Sequence, residues 1–173
     1  MHKLLLAAFT VLPVLCAADS KPGSATDVTS GDVQATLKAA PENSVSDQQI
    51  RVVDAGKYNV CVGVVYRSAK ASQAAVEHDQ VTEVYTIMEG SGTLVTGGTL
   101  VNAKRREASH RSVKELNGPS VDGTGLQNGE SRRVGPGDVV VIPAGVGHFF
   151  SSINGSIKYL VVRVDPDKVV PLK

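Results

Sequence analysis

From residue 50 onward, the chain consists of short, valine-rich segments separated by turns that contain glycine. The segment from Tyr58 to Arg67 has the pattern of a strand, because alternate side chains of an extended chain fall on opposite faces. Many short strands with glycine turns are typical of an antiparallel β-sandwich or barrel. The predicted strands are Ile50–Val53, Tyr58–Arg67, Glu83–Glu89, Gly92–Thr96, Thr99–Asn102, Ser131–Val134, Asp138–Ile142, Gly147–Ser152 and Ser156–Val164.

Two glycine-containing segments specify connections between these strands. Asn154-Gly155 lies between the last two predicted strands and is the strongest hairpin signal in the chain. Gly90-Ser91-Gly92 predicts a turn between two earlier strands. We therefore expect four separate strands at these two places.

The segment from Lys104 to Gly129 interrupts the strand pattern. It is polar and contains three turn signals, Gly118-Pro119, Asp122-Gly123 and Asn128-Gly129. Loops of this length in compact domains are usually lids, binding segments or disordered chain. The sequence leaves these three alternatives open.

Residues 1–18 have the features of an export signal. Lys3 gives a cationic start, Leu4 to Cys16 is almost wholly apolar, and Ala17-Ala18 provides small residues for cleavage. The apolar run is shorter than the roughly twenty residues that cross a bilayer. We expect cleavage after Ala18, an exported protein (periplasmic or extracellular), and no membrane contact afterwards. A buried N-terminal helix is the alternative.

Residues 19–45 are predicted to form a mobile leader that contains one short helix. Asp19 to Ser30 is rich in Ser, Thr, Gly and Asp, as disordered segments are. Ser30 is the candidate N-cap of the helix, and Val33 and Leu37 share one face. With Ala40 as a third candidate on this face, the apolar stripe is weak, which predicts a helix that packs against the outside of a single domain at residues 46–173.

The charge balance excludes one class of partner. The chain has 18 Lys and Arg against 17 Asp and Glu, and removal of Lys3 with the signal makes these numbers equal. A neutral protein has no electrostatic basis for binding nucleic acid. Signal cleavage also leaves Cys61 as the single cysteine, and its place in an apolar strand predicts a buried, unreactive thiol.

Polar residues that can bind a metal occur in two stretches. HDQVTEVYTIMEGSG, residues 78–92, begins with His78, Gln80 and Glu83, and GPGDVVVIPAGVGH, residues 135–148, ends with His148. Two imidazoles and one carboxylate suit iron(II), and also zinc, manganese or nickel. The alternative is that each histidine is an ordinary polar residue at a strand end.

The spacing within both stretches resembles that of the cupin superfamily. Residues 137–148 are similar to the second cupin motif, and residues 78–90 are similar to the later part of the first. The resemblance implies an all-β fold with a single antiparallel β-barrel, or jelly roll, over roughly residues 50–165. The matching positions are Gly137, Pro143, Gly145 and His148 in the second motif, and His78, Glu83 and Gly90 in the first.

The resemblance also implies a divalent transition metal held by three histidines and one glutamate. This chain supplies His78, Glu83 and His148, whereas Val76 stands where the pattern has another histidine. Gln80 is a substitute ligand, because residues two apart on a strand point the same way. In an alternative register, His78 and Gln80 occupy the positions of the family's first two histidines.

Strand alternation adds further candidates around the site. Tyr85 shares a face with Glu83, which makes its hydroxyl a candidate proton donor; the alternative is a core tyrosine. Phe150 shares a face with His148 and is a candidate substrate contact. Arg67 and Arg163 are candidates for binding a substrate carboxylate, or else strand-end residues in solvent.

Together these features predict a metalloenzyme that acts on a small organic molecule at the mouth of the barrel. The resemblance to cupins permits a dioxygenase, an isomerase or a lyase. The alternative is a noncatalytic module that binds a small molecule or a partner. Open strand edges, together with the resemblance, also predict a homodimer.

Overall fold

The computed structural model describes residues 24–173, so the predicted signal segment 1–18 and the start of the leader lie outside the described residues. Within residues 24–173, no helix has the length and apolar character required to cross a membrane. One α-helix, α1 (Ser30–Lys38), precedes eleven strands. The strands are β1 (Val45–Asp54), β2 (Asn59–Ser68), β3 (Ala75–His78), β4 (Thr82–Thr96), β5 (Thr99–Val101), β6 (Lys104–Arg105), β7 (Ser120–Gly123), β8 (Gly125–Gln127), β9 (Glu130–Val134), β10 (Val139–Ile142) and β11 (His148–Asp165).

Two long strands, β4 and β11, organise the antiparallel sheet. The first half of β4 pairs with β10 and with the second half of β11, which continues to β2 and β1. The second half of β4 pairs with β9 and with the start of β11, which continues to β3, β7 and β6. Because both strands belong to both halves of the sheet, the halves enclose one core, as in a jelly roll. The predicted fold class is confirmed.

The predicted turns inside these two strands are wrong. Asn154-Gly155 is not a hairpin: the residues on either side of it, Ile153 and Ile157, both pair with β4, opposite Gly92 and Gly90. The Asn-Gly pair therefore forms an irregularity within one continuous strand. Gly90 allows β4 to bend at the same level, because its φ is +77°. The missing side chain at Gly90 also permits the close approach of β11, since a Cβ there would lie 1.9 Å from the carbonyl oxygen of Ser156.

The apolar core lies between the two halves of the sheet. The burial of β4 alternates strictly from Thr82 to Met88, with Glu83, Tyr85 and Ile87 inside. This is the alternation that an extended chain imposes on a sheet with one buried face. The core cluster comprises Val65, Tyr85, Ile87, Leu94, Val134, Val140, Ile142, Phe150, Ile157, Tyr159 and Val161.

Helix α1 packs against the outer surface of the barrel, as predicted. Val33 and Leu37 contact Ile50 of β1 and Val64 of β2. The N-cap is Thr29 rather than the predicted Ser30: the hydroxyl of Thr29 accepts a hydrogen bond from the backbone N–H of Asp32, and the carboxylate of Asp32 accepts from the backbone N–H of Thr29. This reciprocal arrangement is a capping box, which satisfies two N–H groups at the helix start.

The segment from Lys104 to Gly129 is folded, so the disordered alternative is wrong. It contains β6, a short π-helical turn at Val113–Asn117, β7 and β8. Strand β7 pairs with β3, with Ser120 opposite His78. The strands of this segment are short and polar, and most of their pairing partners are distant in the chain. The local sequence therefore gives no clear strand signal here. This pairing brings the segment next to one of the predicted metal ligands.

Candidate metal centre

Three strands bring His78, Glu83 and His148 together. His78 ends β3, Glu83 is the second residue of β4, and His148 begins β11, which pairs with both of the other strands. Glu83 Oε2 lies 3.2 Å from Nε2 of His148 and 3.6 Å from Nε2 of His78. All three residues are buried, and their donor atoms lie within 4.8 Å of one another. The candidate ligands of the two motifs therefore form one compact cluster in the fold.

Hydrogen bonds on the far side of each imidazole determine its tautomer. Nδ1 of His148 lies 3.0 Å from the carbonyl oxygen of Val146, which can only accept, so this nitrogen carries the proton. Nδ1 of His78 lies 2.9 Å from Oγ of Ser120, whose hydroxyl donates to the carbonyl of Gly118. Nδ1 of His78 is therefore also the donor, so in the neutral form of each imidazole the lone pair lies on Nε2.

The lone pairs of both imidazoles face the carboxylate of Glu83. Burial lowers the pKa of His78, although the charge of Glu83 opposes this effect, so the imidazole is held in its neutral form. Nε2 of His148 is buried and has no hydrogen-bond partner among the described residues. Acceptor atoms that face each other in a buried site are unfavourable unless a donor, a proton or a cation lies between them. Two imidazole nitrogens and one carboxylate oxygen form a donor set that fits a transition metal.

Glu83 is held as an anion by its neighbours. Burial alone would raise the pKa of Glu83, but the guanidinium of Arg163 and the nearby His78 outweigh burial and hold this pKa well below its usual range. Arg163 donates from Nε to Glu83 Oε1 at 2.8 Å and from Nη2 to Asp47 at 2.6 Å. Arg163 is therefore committed to two carboxylates of the protein, and the expectation that it binds a substrate is wrong.

Tyr85 lies beside the cluster, on the face predicted from alternation. Its hydroxyl donates to Glu83 Oε2 at 2.7 Å. Burial and the charge of Glu83 raise the pKa of Tyr85 well above its usual value, so the phenol keeps its proton. The ring packs against Tyr159, with ring centroids 4.3 Å apart. Tyr85 is thus a core residue and also a neighbour of the candidate ligands.

Asn117, which sequence reasoning missed, lies where Gln80 was expected. The Nδ2 atom of Asn117 is 3.0 Å from Glu83 Oε1 and 3.2 Å from Nε2 of His78. Gln80 does not line the cavity at the cluster, and its Oε1 is buried beside Gly118 with no hydrogen-bond partner among the described residues. The alternation argument fails for Gln80 because β3 ends at His78. No local signal identifies Asn117, since its position depends on the fold of the inserted segment.

A cavity of about 310 Å³ adjoins the cluster. Arg67 lines this cavity; its Nε donates to the hydroxyl of Tyr159 at 2.8 Å, and its Nη1 donates to Gln73 at 3.2 Å. Phe150 does not line the cavity: it is buried in the core, where the guanidinium of Arg67 lies 5.8 Å from its ring centroid. The remaining lining residues are Val45, Asp47, Ser72, Ala74, Val76, His78, Glu83, Tyr85, Arg106, His110, Arg111, Ser112, Leu116, Asn117 and His148.

The fold and the cluster define a small antiparallel β-barrel protein with a buried site of two histidines and one carboxylate. A family model described as Cupin matches residues 36–172. Because this match covers most of the chain, the protein belongs to the cupin family, as its motifs predicted. No curated protein sequence matches the chain.

Solved structures of low sequence identity are similar to this chain, and one of them, with a TM-score of 0.50, shares its fold. A protein with a double-stranded β-helix domain from Klebsiella pneumoniae is 14% identical and has a TM-score of 0.50, over 84% of this chain and 94% of that protein. A cupin from Methanocaldococcus jannaschii is also 14% identical, with a TM-score of 0.43 over 72% and 85% of the two chains. The DMSP lyase of Ruegeria pomeroyi is 18% identical, with a TM-score of 0.45, and the match covers 72% of this chain and 48% of the lyase.

Proposed function

We propose that this cupin is a metal-dependent enzyme that acts on a small organic molecule in the cavity next to the cluster. The observation that carries the proposal is the arrangement of two buried imidazoles whose Nε2 lone pairs face the carboxylate of Glu83. His78, Glu83 and His148 would hold the ion. Iron, zinc, manganese and nickel all accept this donor set.

A bound ion of this kind supplies Lewis acidity, or oxygen activation if it is redox-active. Among the protein's own groups, Arg163 keeps Glu83 charged and oriented, and Ser120 orients His78. The Tyr85 hydroxyl donates to Glu83 Oε2 beside the cavity, so it orients this candidate ligand and would give its proton to a bound molecule only if that hydrogen bond is released. Dioxygenase, isomerase and lyase reactions are all compatible with these roles, and the fold does not select among them.

Two observations favour a second function, a noncatalytic binding module. Both oxygens of Glu83 already accept hydrogen bonds from protein groups: Oε1 from Arg163 and Asn117, and Oε2 from Tyr85. Val76 also stands where the family pattern has a further imidazole. A barrel that binds its ligand without a metal would have these two properties. Metal content distinguishes the two functions.

The first experiment measures metal by elemental analysis of protein purified without chelator and after reconstitution with each of the four ions. We expect about one ion per chain in the parent, and strong loss in Glu83→Gln and His148→Ala. The matched control is His110→Ala, because His110 lines the same cavity but is exposed and bonds Ser112. Protein that holds none of the four ions after reconstitution would contradict the enzyme proposal.

We also propose that the protein is exported, on the basis of Lys3, the apolar run Leu4–Cys16 and the small residues that follow. Expression of residues 1–173 in a bacterium tests this proposal. The expected product outside the cytoplasm begins at Asp19, as determined by intact mass and N-terminal sequencing. An uncleaved chain that stays in the cytoplasm would contradict export.

A further inference from the structure

Arg67 differs from the other arginines at the cavity in its partners. Arg106 is paired with Asp122, and Arg111 with Glu115. The buried Arg163 is paired with Glu83 and Asp47. Among residues 24–173, Arg67 has no carboxylate within salt-bridge distance, although it lines the same cavity. It therefore carries a positive charge that no ion pair of the described chain neutralises.

Neutral groups hold the Arg67 guanidinium in one orientation. The hydroxyl of Tyr159 accepts from Nε, and the side chain of Gln73 accepts from Nη1. The ring of Phe150 lies beneath the guanidinium carbon. These contacts use two of its five N–H groups, so both N–H groups of Nη2 and one of Nη1 have no partner among the described residues. A preorganised guanidinium with free N–H groups is suited to binding a carboxylate through paired hydrogen bonds.

The charge balance around the cavity also favours an anion. Around the cavity, four carboxylates equal in number four guanidiniums, although none of the four carboxylates is paired with Arg67. The carboxylates are Asp47, Glu83, Glu115 and Asp122, and the guanidiniums are Arg67, Arg106, Arg111 and Arg163. A divalent ion on the His78–Glu83–His148 cluster would add two positive charges to a largely buried site. Uncompensated buried charge is unfavourable, so an anionic ligand would be bound in preference to a neutral one of the same shape.

We infer that the cavity binds a small organic carboxylate, with its carboxylate on Arg67 and the rest of the molecule directed toward the cluster. This inference rests on the proposed function, because it names the substrate class of the same site. The anion-binding group itself is nevertheless a residue of the chain that can be tested without a metal.

The test uses malonate and its neutral analogue malonamide as probes, with metal-free protein so that chelation does not contribute. Calorimetry should show malonate binding to the parent and no binding of malonamide. Arg67→Gln should weaken malonate binding by at least about tenfold, the scale of a lost charge-assisted hydrogen bond. The control Arg132→Gln, which lies outside the cavity lining and is paired with Glu130, should change binding by less than about twofold.

A measurement on the parent keeps the test decisive if Arg67→Gln does not fold. The side-chain Nε–H resonance of Arg67, assigned with Arg67→Lys, should shift when malonate saturates the protein. An unshifted resonance, equal binding of malonamide, or unchanged affinity in Arg67→Gln would each overturn the inference. Tighter binding of inorganic phosphate than of malonate through Arg67 would overturn the carboxylate class.

Metal analysis separates this inference from the proposed function. Arg67→Gln should retain the metal content of the parent, because Arg67 does not contact the three candidate ligands. A parent that binds malonate through Arg67 but holds no metal would support the anion site and contradict the enzyme proposal. A parent that holds metal but does not discriminate malonate from malonamide would support the enzyme proposal and contradict the anion site.

Discussion

Arg163 and Glu83 are direct neighbours across β11 and β4, and Nε of Arg163 donates to Oε1 of Glu83 at 2.8 Å. Both side chains are almost completely removed from solvent, with 1% and 2% exposed. A buried ion pair of this kind adds little net stability, but the loss of one partner leaves the other charge uncompensated. The pair therefore maintains the charge and orientation of a candidate metal ligand.

Replacement of Arg163 should destabilise the protein strongly. Arg163→Met leaves Glu83 and Asp47 without their cation, and we expect a loss of about 3–5 kcal/mol in the free energy of unfolding. Urea denaturation measures this loss. Arg111→Met, which removes an exposed pair with Glu115 and two long exposed hydrogen bonds to Asp47 and Gln48, should cost less than about 1 kcal/mol. Equal effects of the two substitutions would show that the buried pair has no special role.

Removal of the Asn117 amide should weaken metal binding without unfolding the protein. Asn117→Ala loses the donor to Glu83 Oε1, and a lost outer-shell partner typically reduces metal affinity about 10- to 100-fold. Competition with a chromogenic chelator measures the affinity. Asn154→Ala, which removes an exposed bond to Ser91, serves as the control. Unchanged affinity in Asn117→Ala would assign Asn117 a structural role only.

The sequence was sufficient for the fold class and for the positions of the motif residues. The period of two in β4 correctly separates Glu83 and Tyr85 from their neighbours, because one face of that strand is buried. Spaced motifs identified His78 and His148, whose proximity depends on strand ends that meet at one place in the barrel. These inferences use local rules that hold along a regular strand.

The errors occurred where the relevant interaction is distant in sequence or where a local signal has two structural meanings. Asn117 reaches the cluster through the inserted segment, and nothing in its neighbours specifies that position. Alternation does not apply to Gln80, because β3 ends at His78. Asn154-Gly155 favours both hairpins and irregularities within a strand, and only the pairing with β4 on both sides distinguishes them.

The bend in β4 should be intolerant of any side chain at position 90. In Gly90→Ala, the Cβ would lie 1.9 Å from the carbonyl oxygen of Ser156, and φ is +77°. We expect a loss above about 3 kcal/mol, the sum of left-handed strain and a backbone clash. Gly97→Ala, with φ of +75° and open space, should cost about 1–2 kcal/mol.

The control for both glycine substitutions is Gly135→Ala, since a Cβ there meets no atom within 4 Å. It should change the free energy of unfolding by no more than about 0.5 kcal/mol. In thermal and urea denaturation, Gly90→Ala should therefore be the least stable of the three variants, followed by Gly97→Ala, with Gly135→Ala the most stable. A Gly90→Ala protein as stable as Gly135→Ala would contradict the close approach of β4 to β11.

The Cys61 thiol should make the stability of the protein fall with rising pH above pH 9. Burial raises the pKa of Cys61 to about 11 in the folded protein, whereas the ordinary value is 9.0. Below pH 9 the thiol is protonated in both states, so it contributes no pH dependence there. Between pH 9 and pH 11 only the unfolded chain loses the proton, which favours unfolding by up to roughly 2–3 kcal/mol.

Cys61→Ala isolates this contribution, because the other titrating groups are common to both proteins. The difference in the free energy of unfolding between parent and variant should be constant from pH 7 to 8.5 and should shift against the parent as pH approaches 11. The folded parent should also react slowly with a thiol reagent at pH 8, since Cys61 is fully buried beside Val52 and Val170. A pH-independent difference together with rapid labelling would contradict the buried, protonated thiol.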